Sequence, residues 1–312
     1  MSLFTIFFSF QSFIFLIGIN FLSKRLSAYL KLSKNFNLSI FSTLILLISF
    51  CFYFLNSLNF FYLKEFSKFI FYSFIFFGYF SLIVKILNFK KKDKKKFFKL
   101  NYLNTIYFII IINLLISSLV PVTDADSVRY HLGQFNNDQK FIDFDLHSKI
   151  SYIGDGLNVI SYYSNTFNIV SCLNFYFLFL IISLIKKTFS NEKKIFFSIF
   201  LLSIPIYLNL LISQKPFLWL VFNLFYIFFL NYKRLIDKNC LSFLIILINL
   251  SLIQISKPEF LLVIPLFIVF LIIKLKLNFI IKEKPGKIFS YVVCILLFPL
   301  IFLIYNFFVF SD

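Results

Sequence analysis

The chain has 312 residues, of which 60% are hydrophobic, 22% aromatic and 14% charged, and it carries a formal net charge of +18. A soluble domain carries about 25% charged residues, so the composition argues against one and for a surface that faces lipid. Excess positive charge would mark a nucleic-acid binder in a soluble protein; here the placement of the charges points to membrane lipid as the partner and to no nucleic acid.

Uncharged apolar runs long enough for one bilayer crossing recur along the whole sequence. They predict helices near 2–22, 38–63, 69–88, 102–120, 164–185, 195–213, 217–232, 240–255, 260–275 and 288–310. The expected fold is therefore all-α: a polytopic transmembrane bundle of about ten helices, one domain over residues 1–312. Helices are required because backbone polar groups in lipid need internal partners, and no period-2 barrel pattern is present. The opening MSLFTIFFSFQSFIFLIGINFL lacks a basic leader and a small-residue cleavage site, so it reads as the first membrane segment. The cysteines Cys51, Cys172, Cys240 and Cys294 are far apart with no CxxC pair, which signals neither a disulfide framework nor a zinc site.

Orientation follows from lysine and arginine in the connections. All but seven of the 31 fall in or beside every second connection, densest in KKKDKKKFFK at 90–99. The exceptions are Lys64, Lys68, Arg129, Lys140, Lys149, Lys215 and Lys257, and most acids lie with them. This alternation puts the basic side in the cytoplasm and both termini outside the plasma membrane.

One connection is long. Residues 121–163 hold both histidines, His131 and His147, with Asp124, Asp126, Asp138, Asp143, Asp145 and Asp155. A loop of this length is functional or disordered. Its regularly spaced aromatic and aliphatic residues predict order, as short helices lying on the membrane surface.

The predicted helix interiors are nearly free of ionisable groups, which argues against an ion-coupled transporter. Chemistry is expected instead in Asp124-Ala125-Asp126-Ser127-Val128-Arg129-Tyr130-His131. In a helix, Asp126 and Tyr130 would share a face while Asp124, Ser127 and His131 approach another. Two acids and a histidine so close can supply a general base and ligands for a divalent metal, Mg or Mn. The alternative is a solvated loop in which Asp126 pairs with Arg129 and Asp124 caps a helix. Asp143, Asp145 and His147 form a second cluster with the same two readings, and Asp155 between two glycines reads as a turn residue. Ser213-Gln214-Lys215-Pro216 and Ser256-Lys257-Pro258-Glu259 sit in short outer turns. There Lys215 and Lys257 either hold a lipid phosphate or anchor the chain at the interface.

The stretch Asp126-Ser127-Val128-Arg129-Tyr130-His131-Leu132 resembles the start of the outer loop in a bacterial branch of GT-C superfamily glycosyltransferases. Gly156-Leu157, Gln214-Lys215-Pro216 and Lys257-Pro258 agree loosely, so the resemblance covers roughly residues 120–275. It implies sugar transfer from a polyprenyl-phosphate donor to an acceptor on the outer face. By the same resemblance Asp126 is the base or metal-binding acid and Asp124 its neighbour. Tyr130, His131 and Arg129 would shape the substrate site, and Lys215 or Lys257 would meet the lipid phosphate. The pattern departs from the family in having three more helices before the loop and an outside N-terminus. The stop at Ser311-Asp312 predicts a short, truncated or inactive relative. Other expectations stay open. One is an O-antigen-polymerase-like protein, disfavoured because its loop arginines reduce here to Arg129. Another is a transporter or flippase of a lipid-linked solute, whose path would use Asn113, Asn168, Asn209, Asn223 and Gln254. A third is a membrane protein with only an assembly role.

Overall fold

A computed structural model describes residues 3–33, 36–58, 60–89, 102–119, 155–166, 168–188, 215, 217–232, 240–256 and 264–265, and eight positions between 293 and 304. Every element among them is helical: α1 (Leu3–Tyr29), α2 (Asn37–Ser57), α3 (Leu63–Phe89), α4 (Tyr102–Leu119), α5 (Gly156–Tyr163), α6 (Ile169–Thr188), α7 (Phe217–Tyr232) and α8 (Cys240–Ser256). Two of them are long and apolar enough to cross a membrane, over Asn37–Asn56 and Leu63–Asn88. The predicted spans at 195–213, 260–275 and 288–310 lie outside the described residues, apart from isolated helical positions in the last two.

Helix ends differ from the apolar windows for a physical reason. A window stops at the first charge, whereas a helix goes on wherever its backbone bonds are satisfied and long side chains can reach water. Thus α1 continues through Lys24 and Arg25, and α3 starts six residues early and takes in Lys64, Glu65 and Lys68. Conversely α2 stops at Ser57, short of 63, because the chain turns: the Leu63 amide donates to the Phe60 carbonyl at 2.9 Å. Left-handed residues close α1 and α5. Lys31 (φ 53°) and Asn165 (φ 57°) follow them, with Leu32 N–H on Ser27 O and Thr166 N–H on Ser161 O, the six-to-one bond of a Schellman cap.

The chain divides into two compact units. The first comprises Met1–Leu22, Leu58–Ser151 and Leu157–Phe222. Within it α1 and α3 cross at Gly18 and Gly78. A Cβ on Gly18 would strike the Phe74 carbonyl, and one on Gly78 the Ile14 carbonyl, so neither position admits a side chain. Such backbone contact at small residues is how helices pack when lipid supplies no hydrophobic drive. Around this crossing Phe15 stacks on Phe71 at 5.3 Å and Phe21 meets Phe80 at 5.8 Å. Because the residue numbers rise together, α1 and α3 run parallel. The same holds for α1 and α6, where Ser12 Oγ donates to Asn168 Oδ1 (2.6 Å) and Asn20 Nδ2 to Tyr176 OH (2.7 Å). α6 also packs on α4, and Ser171 Oγ donates to the Ser118 carbonyl at 3.0 Å.

The second unit comprises Ser23–Ser57, Tyr152–Gly156 and Asn223–Asp312. Its centre is α2 packed on α8. Asn249 Nδ2 donates to Ser42 Oγ (3.0 Å), Thr43 Oγ1 (3.1 Å) and the Ser39 carbonyl (3.5 Å), while its Oδ1 accepts from Asn223 Nδ2 (2.9 Å). Gly156 rests on the Ser49 carbonyl, again where no Cβ fits.

Both units bury serine, threonine and asparagine between helices and turn large apolar side chains outward. On α3 alone Phe69, Tyr72, Phe76, Ile83 and Leu87 are each at least half exposed.

Candidate functional site

Asp124, Asp126, Arg129, Tyr130, His131 and Lys257 lie outside the described residues, as do Asp143, Asp145 and His147. Among the described residues no three of His, Cys, Asp and Glu gather as a metal site. Of the candidate site residues, Lys215 is the one the structure places.

Lys215 stands just before α7 and is half-buried. Its carbonyl accepts from Asn174 Nδ2 at 3.5 Å, and the oxygen of the same carboxamide accepts the Trp219 amide at 3.0 Å. Asn174 thereby does from α6 what a local capping residue does for a helix start, satisfying an amide that has no partner within α7. Trp219 is fully buried against Phe177, with ring centroids 6.0 Å apart. Its indole Nε1 has no hydrogen-bond partner among the described residues.

The register of the first unit fixes the level of this junction. Asn20 meets Tyr176, so Asn174 is level with Gly18, which meets Gly78. Gly78 lies fourteen residues after Lys64 and eleven before Phe89, about 21 Å and 16 Å along α3. Lys215 and the first turn of α7 are thus beside the middle of α3, not beside its start.

The described end of the acidic connection is α5 and the turn into α6. Sequence reasoning expects such helices on the membrane surface; here Leu157, Asn158, Val159, Ile160 and Ser161 are all buried. A surface helix needs a polar face, and the two polar side chains within this stretch point into protein. Asp155, expected as a turn residue, precedes α5 and is 3% exposed. The turn is closed by hydroxyls: Ser164 Oγ donates to Ile160 O at 2.6 Å, and Ser161 Oγ accepts the Ile169 amide at 3.4 Å. At the α5 end, burial and then the neighbouring Tyr162 and the Glu65 carboxylate raise the Tyr163 phenol above its ordinary range.

The amides expected along a transport path do not form a single seam. Asn168 and Asn223 are buried in different units with partners in each, Asn113 is exposed, Gln254 is half-buried, and Asn209 lies outside the described residues. Sequence reasoning did not single out Asn174; a lone asparagine in an apolar run carries no signal until its partner 45 residues away is known. No family model, curated protein or solved structure matches this chain.

Proposed function

We propose that the chain is a multi-pass plasma-membrane glycosyltransferase that moves a sugar from a polyprenyl-phosphate donor to an acceptor on the outer face. The membrane part of this reading is supported by α3, whose large apolar side chains stand exposed along its length, a surface water would not tolerate. The single observation that carries the chemistry is the Asp124–His131 motif opening an acidic connection among basic ones.

In this mechanism Asp126 takes the proton of the acceptor hydroxyl as that oxygen attacks the anomeric carbon. The bond from that carbon to the donor phosphate breaks, and the lipid phosphate leaves with the electron pair. A cation beside it, Lys215 or Lys257, stabilises the departing charge. Asp124 and Asp126 would hold a divalent Mg or Mn where one takes part. All the basic connections then face the cytoplasm.

The test is Asp126→Asn and Asp124→Asn in the native host. Each is expected to lower outer-surface glycan incorporation by at least about 100-fold, the scale of a lost general base, with protein levels in the membrane unchanged. Glycan indistinguishable from wild type in both variants overturns the reading.

A further inference from the structure

Asn20, Asn174, Asn223 and Asn249 stand well inside long helices, and each is hydrogen-bonded to another helix. Asn113 on α4 is turned outward instead, and its carboxamide has no hydrogen-bond partner among the described residues. It lies eleven residues after the start of α4 and six before its end, about 16 Å and 9 Å along the axis. No charged residue occurs between Lys99 and Asp124. In the membrane reading this level is hydrocarbon, where an amide left without a partner is costly. The face around it is apolar: Ile109 is 52% exposed and Ile116 54%. At 3.6 residues per turn, Ile109, Asn113 and Ile116 lie within about 60° of one another. Ser118, buried where α4 packs on α6, falls on the opposite side. Ser117 Oγ donates back to the Asn113 carbonyl at 2.9 Å, so this small neighbour is already satisfied. Steps of four and then three residues are the spacing of the seam between two supercoiled helices.

We propose that two copies of the chain associate through this face of α4, with their Asn113 carboxamides hydrogen-bonded to each other across a two-fold axis normal to the membrane. The proposal rests on the membrane reading above and involves no glycosyl transfer. Charge complementarity selects the occupant. A carboxamide carries a partly positive NH2 group and a partly negative oxygen, so a two-fold rotation makes it its own complement. Copies inserted in the same orientation hold Asn113 at one depth in both. A foreign helix matches that depth only if it carries a polar group there. The two α4 helices also run parallel, the arrangement in which a single Asn in a four-three seam sets register and the number of chains. Lipid gives apolar helices no hydrophobic drive to associate, so the paired amides supply the preference while Ile109 and Ile116 pack beside them.

The experiment uses the full chain with its native cysteines replaced by alanine, reconstituted in phosphatidylcholine vesicles. Ile109→Cys and Ile116→Cys, which keep Asn113, are each expected to form disulfide-linked dimers on oxidation. Phe76→Cys, 67% exposed on α3, is not. Energy transfer between copies labelled at Leu58→Cys, itself in an exposed turn, then measures the dimer as lipid dilutes the protein. Asn113→Leu alters only an exposed side chain and is expected to raise the dissociation constant about tenfold, the loss of two interhelical bonds. Asn113→Gln keeps the amide and is expected to raise it less than about threefold. Equal cross-linking at 116 and 76, or an unchanged dissociation constant in Asn113→Leu, overturns the proposal. So does a disulfide within one chain between Asn113→Cys and Asn209→Cys, which gives the face to the predicted span 195–213. A chain that alkaline carbonate strips from native membranes removes the membrane reading as well, whereas a carbonate-resistant chain that stays monomeric removes the dimer alone.

Discussion

Asn249 shows what a single side chain can hold in this protein. One carboxamide ties α2 to α8 through Ser42, Thr43 and the Ser39 carbonyl, and takes a further bond from Asn223 on α7. Interhelical hydrogen bonds in lipid contribute about 0.6 kcal/mol on average and up to about 1.7 each, because an unfolded chain in the membrane also finds partners. Asn249→Leu removes all four at once and takes from the buried Ser42 hydroxyl its bond to α8, while Thr43 Oγ1 keeps its bond to the Ser39 carbonyl. It is expected to destabilise the second unit by about 2 kcal/mol, read as an earlier midpoint of unfolding in mixed micelles. Asn223→Leu removes only one bond and should cost less than half as much; equal costs would mean that Asn249 is not the hub. Glycine positions act by exclusion instead. Gly78→Val pushes against the Ile14 carbonyl, whose backbone cannot yield, so α1 and α3 must separate. The expected loss exceeds that of Asn249→Leu, and a second substitution at Gly18 adds little once the helices are apart.

At the scale of the element, α1 runs parallel to both α3 and α6. Ser12→Cys/Asn168→Cys is expected to form an oxidative cross-link. Ser12→Cys/Tyr176→Cys, displaced by eight residues or about 12 Å, is not. A reversed result would mean antiparallel packing and would remove the levels assigned to Lys215. Those helices were legible in the sequence because each is a long apolar run, and seven of the ten predicted spans coincide with α1–α4 and α6–α8 to within a few residues at most ends. Their true ends were not legible. Hydropathy penalises Lys64, Glu65 and Lys68, yet a helix has no reason to stop there while its carbonyls and amides remain paired. The burial of α5 was equally hidden, since eight residues with two polar side chains fit a surface helix until Asn158 and Ser161 are seen inside.

For the whole molecule, the charge pattern predicts the side of each connection but says nothing of its depth. The sequence shows a break at Ser213–Pro216 and assigns it to an outer turn; that this break starts α7 beside the middle of α3 depends on Asn174 meeting Trp219 and Asn20 meeting Tyr176, contacts across 45 and 156 residues. No local pattern encodes them, which is why Lys215 could be nominated from sequence but not located. In the proposed topology, the alternation of charge holds the arrangement in one orientation. Its densest block, the lysines of 90–99, follows α3 directly, so it weighs on whether α3 crosses with Lys64 or Lys85 outside. Replacing those lysines with glutamine removes that weight while leaving every helix–helix contact in the described residues unchanged. Leu58→Cys, exposed in the turn between α2 and α3, reports the side of that turn. In the parent it is expected to react with an impermeant maleimide added outside intact cells. In the glutamine variant a measurable fraction should become protected, as a share of chains inserts with the turn inside. If the fraction labelled is unchanged, the remaining basic connections suffice to orient the chain. If Leu58→Cys is unreactive in the parent, the turn lies inside, and Lys215 and the acidic connection face the cytoplasm instead.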